Sequence, residues 1–249
     1  MIEIEDHGRV RRLRLNRPPV NAFDRALLES LDAAMRQAVA DDKGAVVVCG
    51  QQGLFSAGLD IRALLPLPPA EMRSFWRLLI DVQATIAQLP IPVIAALTGH
   101  CAAGGTVLAL CCDYRIMAAG DWKIGLNEVQ VGLFPGRLIH RAFARLVGPH
   151  RAGEMLARGA LIGPDTALTV GLVDEVRPMD EVVTRAHAYA EELLNLPPRA
   201  FMRTRAMARA DLVALFDTVD EAMIDEVTEG WFSEETQSRL RALFVRKNG

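Results

Sequence analysis

Two glycine-rich segments stand where main-chain groups can do chemistry. They are Phe55–Ile61 (FSAGLDI) and Ala102-Ala103-Gly104-Gly105, each downstream of a continuously apolar run. Small residues let a ligand approach the backbone, and glycine supplies dihedrals that other residues avoid. The second segment opens a helix, whose first N–H groups lack intrahelical partners and whose dipole favours negative charge. Both features suit a reaction in which charge develops on an oxygen. Other chemistries lack their residues: there is no GxGxxG, P-loop, HExxH or GxSxG pattern. The histidines (His7, His100, His140, His150, His187) show no metal-ligand spacing, so no metal site is expected. His100 alone sits on a suspect loop, and a structural role fits it better than catalysis.

The elements that must position these segments follow from periodicity. Residues 2 to 5 and 10 to 15 read as strands around a Gly8 turn. Asp24 caps a helix with Leu27, Leu28, Leu31, Met35 and Val39 on one face. AVVVC at 45 to 49 and PVIAAL at 92 to 97 read as buried strands, each running into one of the glycine-rich loops. An amphipathic helix carries Phe75, Leu78, Leu79, Val82, Ile86 and Leu89 and stops at Pro90 and Pro92. A short apolar helix (TVLALCC) follows, then strands near 114 to 118 and 122 to 125, then mostly helix with one strand at Leu172 to Val176. This alternation predicts an α/β fold with partly parallel pairing. The stretch 197–249 is helical and rich in apolar residues (Phe201, Met202, Leu212, Leu215, Phe216, Met223, Trp231, Phe232, Leu240, Leu243, Phe244). Such a segment must pack on the core or on another subunit.

Composition sets outer bounds. The chain has 249 residues, 51% hydrophobic and 24% charged, with 28 basic against 31 acidic residues. That describes an ordinary globular protein with no electrostatic footprint for nucleic acid. Cys49, Cys101, Cys111 and Cys112 lie in apolar runs without CxxC spacing, as buried reduced thiols of a cytoplasmic protein would. The N-terminal MIEIEDHGRVRRL has no apolar signal region, no run suits a membrane span, and the ending RKNG is not a peroxisomal address.

The order FSAGLDI, PVIAALTGHCAAGGTVLALCCDYRI, IGLNEVQVGLFPG resembles the crotonase (enoyl-CoA hydratase/isomerase) superfamily, and the likeness runs from RPPVNAF to ALTVGLVDEV and beyond. The resemblance implies a crotonase-like spiral of ββα units with a C-terminal helical region. It implies an acyl-CoA-binding core over 1–196, with 197–249 serving oligomerisation and covering the active site. The implied partners are an acyl-CoA substrate and other copies of the chain, as a homotrimer or dimer of trimers. No separate cofactor is implied, because coenzyme A arrives with the substrate. By the same resemblance the backbone N–H groups of Leu59 and Gly104 form an oxyanion hole for the thioester carbonyl. Ala57, Gly58, Leu59, Asp60 and Ile61 would contact CoA largely through main-chain atoms, Arg62 would meet its phosphates, and Gly104 and Asn127 belong to the same implied binding set.

Side chains at the reacting centre decide the reaction, since the fold supports several. Hydratases of the superfamily use two glutamates to activate one water. The matching positions here are Val107 and Glu128. Valine neither binds water nor carries a proton, and losing one general acid/base typically lowers the rate about 10²- to 10⁴-fold. One carboxylate suffices for a 1,3-proton shift. IGLNE, AGLDI and the SEETQSRLRALFVRKNG ending resemble the mitochondrial-type Δ3,Δ2-enoyl-CoA isomerases of fatty-acid β-oxidation. Leu133-Phe134-Pro135-Gly136 is closer to general crotonases. The alternatives are a hydratase that recruits Asp60 or Asp113 as its second acid, and a non-catalytic acyl-CoA-binding homologue. Leu126, Val129 and Val107 are the expected apolar surroundings that would raise the Glu128 pKa.

Overall fold

A computed structural model describes residues 1–245, with side chains through Leu243; the expected packing of Phe244 and the last four residues lie outside the described residues. Strands β1 (Ile2–His7) and β2 (Val10–Leu15) form a hairpin, followed by helix α1 (Arg25–Ala40). The Asp24 side chain accepts from the Leu27 N–H and caps α1 as expected. One position departs from the sequence reading. Val39 is exposed, because the inward face of α1 ends on Ala38.

The chain then repeats a pattern three times. Strand β3 (Ala45–Cys49) is followed by β4 (Gly53–Ser56), the short helix α2 (Ile61–Leu64) and the long helix α3 (Pro69–Gln88). Strand β5 (Val93–Leu97) is followed by β6 (Gly99–Ala102) and α4 (Gly104–Cys111). Strand β7 (Tyr114–Ala118) is followed by β8 (Ile124–Gly125), a 3₁₀ turn at Glu128–Val131 and α5 (Gly136–Val147). The remaining elements are α6 (Pro149–Arg158), β9 (Leu161–Ile162), α7 (Pro164–Val170), β10 (Glu175–Arg177), α8 (Val182–Leu194), α9 (Pro198–Phe216), α10 (Glu221–Phe232) and α11 (Glu234–Val245).

The first strand of each repeat joins one sheet and the second joins another. The larger sheet has the order β1-β2-β3-β5-β7-β10 and the smaller β4-β6-β8-β9. Pairing is parallel from β2 through β10 and from β4 through β8. The architecture is therefore the α/β spiral of ββα units that the motifs implied. The glycine-rich loops are more regular than expected, since their leading residues are β4 and β6. Without a long apolar run, strands this short carry little periodicity, and β9 left no signal for the same reason. The last strand lies at Glu175–Arg177, displaced toward the C-terminus from the Leu172–Val176 expected.

Alternation along the central strands divides the core. Val46 and Val48 on β3, with Val93, Ala95 and Leu97 on β5, face a large core that includes residues of α1, α3 and α4. Ala45, Val47 and Cys49, with Ile94 and Ala96, face α8. Burial on both faces explains why these strands read as continuous apolar runs. All four cysteines are buried and unpaired. In the C-terminal region Leu212, Met223, Trp231 and Leu240 are buried within the chain itself. Among the described residues no helix is long and apolar enough to cross a membrane.

Candidate active site

The small sheet aligns three chain segments. Its strands β4, β6 and β8 run parallel, with Ser56 opposite Cys101 after a register shift between Leu54 and Ser56, and Ala102 opposite Gly125. Each strand ends two or three residues before a residue of interest: Leu59, Gly104 and Glu128 respectively. Adjacent strands sit about 4.8 Å apart, so successive turns of the spiral deliver these residues to one edge. All three line a single cavity.

The first segment is pinned from several sides. The Phe23 N–H donates to Gly58 O (2.7 Å) and the Asp60 N–H to Phe23 O (3.0 Å). Gly58 C=O and Asp60 N–H therefore face Phe23, and the intervening Leu59 N–H faces the other way. Among the described residues nothing accepts from Leu59 N–H, whereas its neighbours are engaged. Ala57 N–H donates to Val20 O, Ile61 N–H to Leu59 O, and Gly58 N–H to Ser56 Oγ. The Ser56 hydroxyl donates in turn to Asn21 O (2.7 Å), and the buried Asn21 amide donates to Phe55 O (3.0 Å).

The second segment meets the first backbone to backbone. Gly58 has φ +91°, and a Cβ there would lie 2.8 Å from Ala103 Cβ and 3.0 Å from Gly104 N. A Cβ on Gly104 would lie 2.9 Å from Phe23 Cδ2 and 3.3 Å from Gly58 Cα. Neither position has room for a side chain. Ala103 turns the chain into α4 at φ +48°, ψ −120°, a conformation costing alanine on the order of 1–3 kcal/mol. Two bonds hold it there, Ala103 N–H to Gly125 O (2.9 Å) and Val107 N–H to Ala103 O (3.0 Å). Gly104 N–H, at the start of α4, has no acceptor among the described residues. The two residues whose N–H groups have no acceptor among the described residues, Leu59 and Gly104, thus line one cavity, and Gly104 stands at the positive end of the α4 dipole.

The third segment brings the carboxylate. Glu128 opens the 3₁₀ turn, half-buried, with Oε2 shut off from solvent and without a hydrogen-bond partner. Burial pushes its pKa up to about 7, offset only by a bond from its own backbone N–H. The wall around it is apolar, with Val107 on α4, Leu79 and Ile80 on α3, Leu138 on α5, and Met223 and Val227 on α10. Val107 belongs to this surround as expected. Val129 does not; it is exposed on the outer side of the turn.

A family model described as enoyl-CoA hydratase/isomerase matches residues 5–236. The chain belongs to the enoyl-CoA hydratase/isomerase family. Human mitochondrial enoyl-CoA delta isomerase 1 is 28% identical over 99% of this chain and 82% of its own length. A probable enoyl-CoA hydratase of Mycobacterium avium is 34% identical over 82% of this chain and 78% of its own. The crystal structure of human mitochondrial delta3-delta2-enoyl-CoA isomerase matches with TM-score 0.93 at 28% identity, covering 99% of this chain and 98% of that one. An enoyl-CoA hydratase from Bacillus halodurans matches with TM-score 0.88 at 21% identity, covering 97% and 99%, which speaks for the fold alone.

Within this enoyl-CoA hydratase/isomerase fold, the remaining candidates fall into two groups. Leu59, Gly104 and Glu128 share the cavity, whereas Ala57, Gly58, Asp60, Ile61, Arg62 and Asn127 do not line it. The Asp60 carboxylate caps α2 at Ala63 N–H and pairs with Arg17 (2.6 Å), which also holds Asp24 (2.9 Å). Arg62 is exposed on α2, and Asn127 precedes the 3₁₀ turn with its carbonyl accepting from Gln130 N–H. Asp113 is bound by Arg205 (2.6 Å) and by the Val93 N–H, away from the cavity. Neither Asp60 nor Asp113 is placed to act as a second acid. His100 accepts from Lys123 N–H and packs edge-on against Trp122, a structural position.

Sequence reasoning passed over the residues that brace the site. Asn21 and Ser56 fix the first loop, and Thr106 joins the other two segments. The Thr106 hydroxyl, fully buried, lies 2.6 Å from Cys101 O and 3.0 Å from both Gly125 O and Gly125 N. It ties the start of α4 to the strand leading to Glu128. A hydroxyl inside a helix of wholly buried residues was the available signal, since such a group needs a partner.

Proposed function

We propose that this protein is an enoyl-CoA isomerase that moves a double bond from C3 to C2 of an acyl-CoA with one carboxylate. The observation that carries the reading is the cavity's inventory. Glu128 is the one ionisable side chain among the described residues lining it, and Val107 stands where a second carboxylate would be needed. The likeness to enoyl-CoA delta isomerase 1 over the whole chain supports the same choice.

The thioester oxygen accepts from Leu59 N–H and Gly104 N–H. The Glu128 carboxylate takes a proton from C2, and the C–H electron pair forms the C1=C2 bond of a dienolate while the thioester oxygen takes the negative charge. Each aligned donor stabilises that charge by on the order of 3 kcal/mol. Glu128, now neutral, returns the proton at C4 as C1=O re-forms and the double bond settles between C2 and C3. Atoms and electrons balance without a redox step. A base with a pKa near 7 is ionised enough to start the cycle and acidic enough to finish it. CoA lies along the Ala57–Arg62 segment, where the N–H groups of Ala57, Gly58, Asp60 and Ile61 are engaged within the chain and the Ala57 carbonyl has no donor among the described residues. Subunits associate as a trimer or dimer of trimers, and the exposed Met207 on α9 marks an apolar site on the region expected to take part.

Incubating the purified protein separately with 3-enoyl-CoA and 2-enoyl-CoA tests the reading. The expected result is rapid conversion of the first to 2-enoyl-CoA and little hydration of the second. Faster hydration would make it a hydratase, and failure to exchange the α-proton of a bound acyl-CoA would make it a binder.

A further inference from the structure

The cavity wall contains a polar group that the proton shift does not use. On α3, Trp76, Leu79, Ile80 and Gln83 follow one another at the spacing of a single helix face, and all four line the cavity. Gln83 is only 2% exposed. Its amide nitrogen donates to Leu79 O one turn back, at 3.1 Å. A helix carbonyl can only accept, so this bond sets the orientation of the amide: nitrogen toward the helix, oxygen left over for the cavity. No donor among the described residues reaches that oxygen. The oxygen keeps a trace of accessible surface, unlike the occluded Glu128 Oε2 and Trp76 Nε1, yet an acceptor this enclosed still costs up to about 1–3 kcal/mol without a donor. Leucine or methionine of the same length would fill an acyl pocket without that cost.

We propose that Gln83 is a specificity residue, and that the acyl chain this site prefers carries a hydroxyl group beyond C4, which donates to the Gln83 amide oxygen. The inference rests on the acyl-CoA reading of the same cavity. An acceptor fixed in this way selects a hydroxyl over a carboxylate, which would set oxygen against oxygen; a ketone cannot donate to it, although it can still accept from the unpaired Trp76 Nε1–H on the same wall. A site built to satisfy a substrate hydroxyl also discriminates strongly against the analogue lacking it, since the protein group is then left buried and unpaired. A hydroxyl placed beyond the carbons that exchange protons with Glu128 would act on affinity and leave the chemical step alone.

Calorimetric binding of saturated acyl-CoAs of one chain length tests this without reference to turnover. The probes carry a hydroxyl at successive carbons from C5 outward, beside the unsubstituted parent and the matching ketones. In the wild-type protein one hydroxylated member should bind about tenfold more tightly than the parent, and more tightly than its ketone. Gln83→Leu should remove that gain while holding the parent's affinity within about threefold; Gln83→Met serves the same purpose if the leucine variant does not fold. The proposal is overturned if no hydroxylated member gains on the parent in the wild-type protein, or if the gain survives loss of the amide. Binding of no acyl-CoA of any kind would instead overturn the proposed function and this inference with it.

Discussion

The two halves of the site are built on opposite plans. On the proposed oxyanion side the working groups are backbone N–H bonds, and nearly every neighbouring polar atom has a partner: Phe23, Asn21, Ser56 and the Asp24–Arg17–Asp60 bridge hold one loop, and Ala103 and Thr106 hold the other. On the proposed acyl side the working groups are side chains, and polar atoms are left without partners in a largely apolar wall, as Glu128 Oε2 and Trp76 Nε1 are, while no protein donor pairs with the Gln83 amide oxygen. A backbone donor gains its power from being held still and aimed. A carboxylate gains its power from being deprived of solvent and counter-charge. Disturbing the first side should therefore act through geometry, and disturbing the second through chemistry.

The largest effect expected comes from the acyl side. Glu128→Gln preserves size and removes the base, so kcat should fall about 10³-fold while acyl-CoA binding persists. Single-turnover kinetics beside equilibrium binding separates the two, and near-normal turnover would show that another group is the base. Gly58→Ala is the matching test of the oxyanion side. The added methyl meets Ala103 Cβ and Gly104 N at φ +91°, which should separate the two donors and lower kcat about 10²-fold. The pH profile should not move, because the carboxylate is untouched; a shifted profile would mean that the two halves are electrostatically coupled.

Thr106→Val asks how stiff the join between the halves must be. Valine keeps the volume but leaves Gly125 N–H and the Cys101 carbonyl without the hydroxyl. Turnover should fall about tenfold with KM nearly unchanged, since the binding surface stays while the base drifts from the oxyanion hole. A rise in KM with kcat preserved would assign Thr106 to the binding surface instead.

What could be read in the sequence follows the same division. Gly58 and Gly104 were visible because close backbone contact leaves no alternative residue, and β3 and β5 because burial on both faces demands uninterrupted apolar runs. Glu128 and Val107 were legible only by position within a known motif, because nothing local marks a carboxylate as buried. The wall supplied by α3, α5 and α10 was not legible, since side chains more than a hundred residues apart converge only once the spiral closes. Val129 shows the limit: it adjoins Glu128 in the chain, yet the 3₁₀ turn points it outward.

The smallest expected effect is one of stability, and it tests whether the Glu128 carboxylate is truly deprived of solvent. Burial holds its pKa at about 7 in the folded chain, against an ordinary value of 4.5. Between those values the folded protein binds more protons than the unfolded one, so rising pH removes stability across that window. Below pH 4.5 both states are protonated, and above about 7 both are ionised, so the contribution is flat on either side. Glutamine does not ionise. Glu128→Gln should therefore match the wild-type thermal midpoint near pH 4 and exceed it increasingly from pH 4.5 to 7. The margin should level off at on the order of 1–2 kcal/mol, a few degrees for a chain of this size, because the residue is half-buried and its ionised form recovers some hydration. The same variant would then be nearly inactive and more stable, which is the expected signature of a base kept reactive by its surroundings. Thermal midpoints of the two proteins measured at matched pH decide the matter. A difference that does not change with pH would mean that the Glu128 carboxylate is solvated, and the reactive side of the comparison would lose its physical basis.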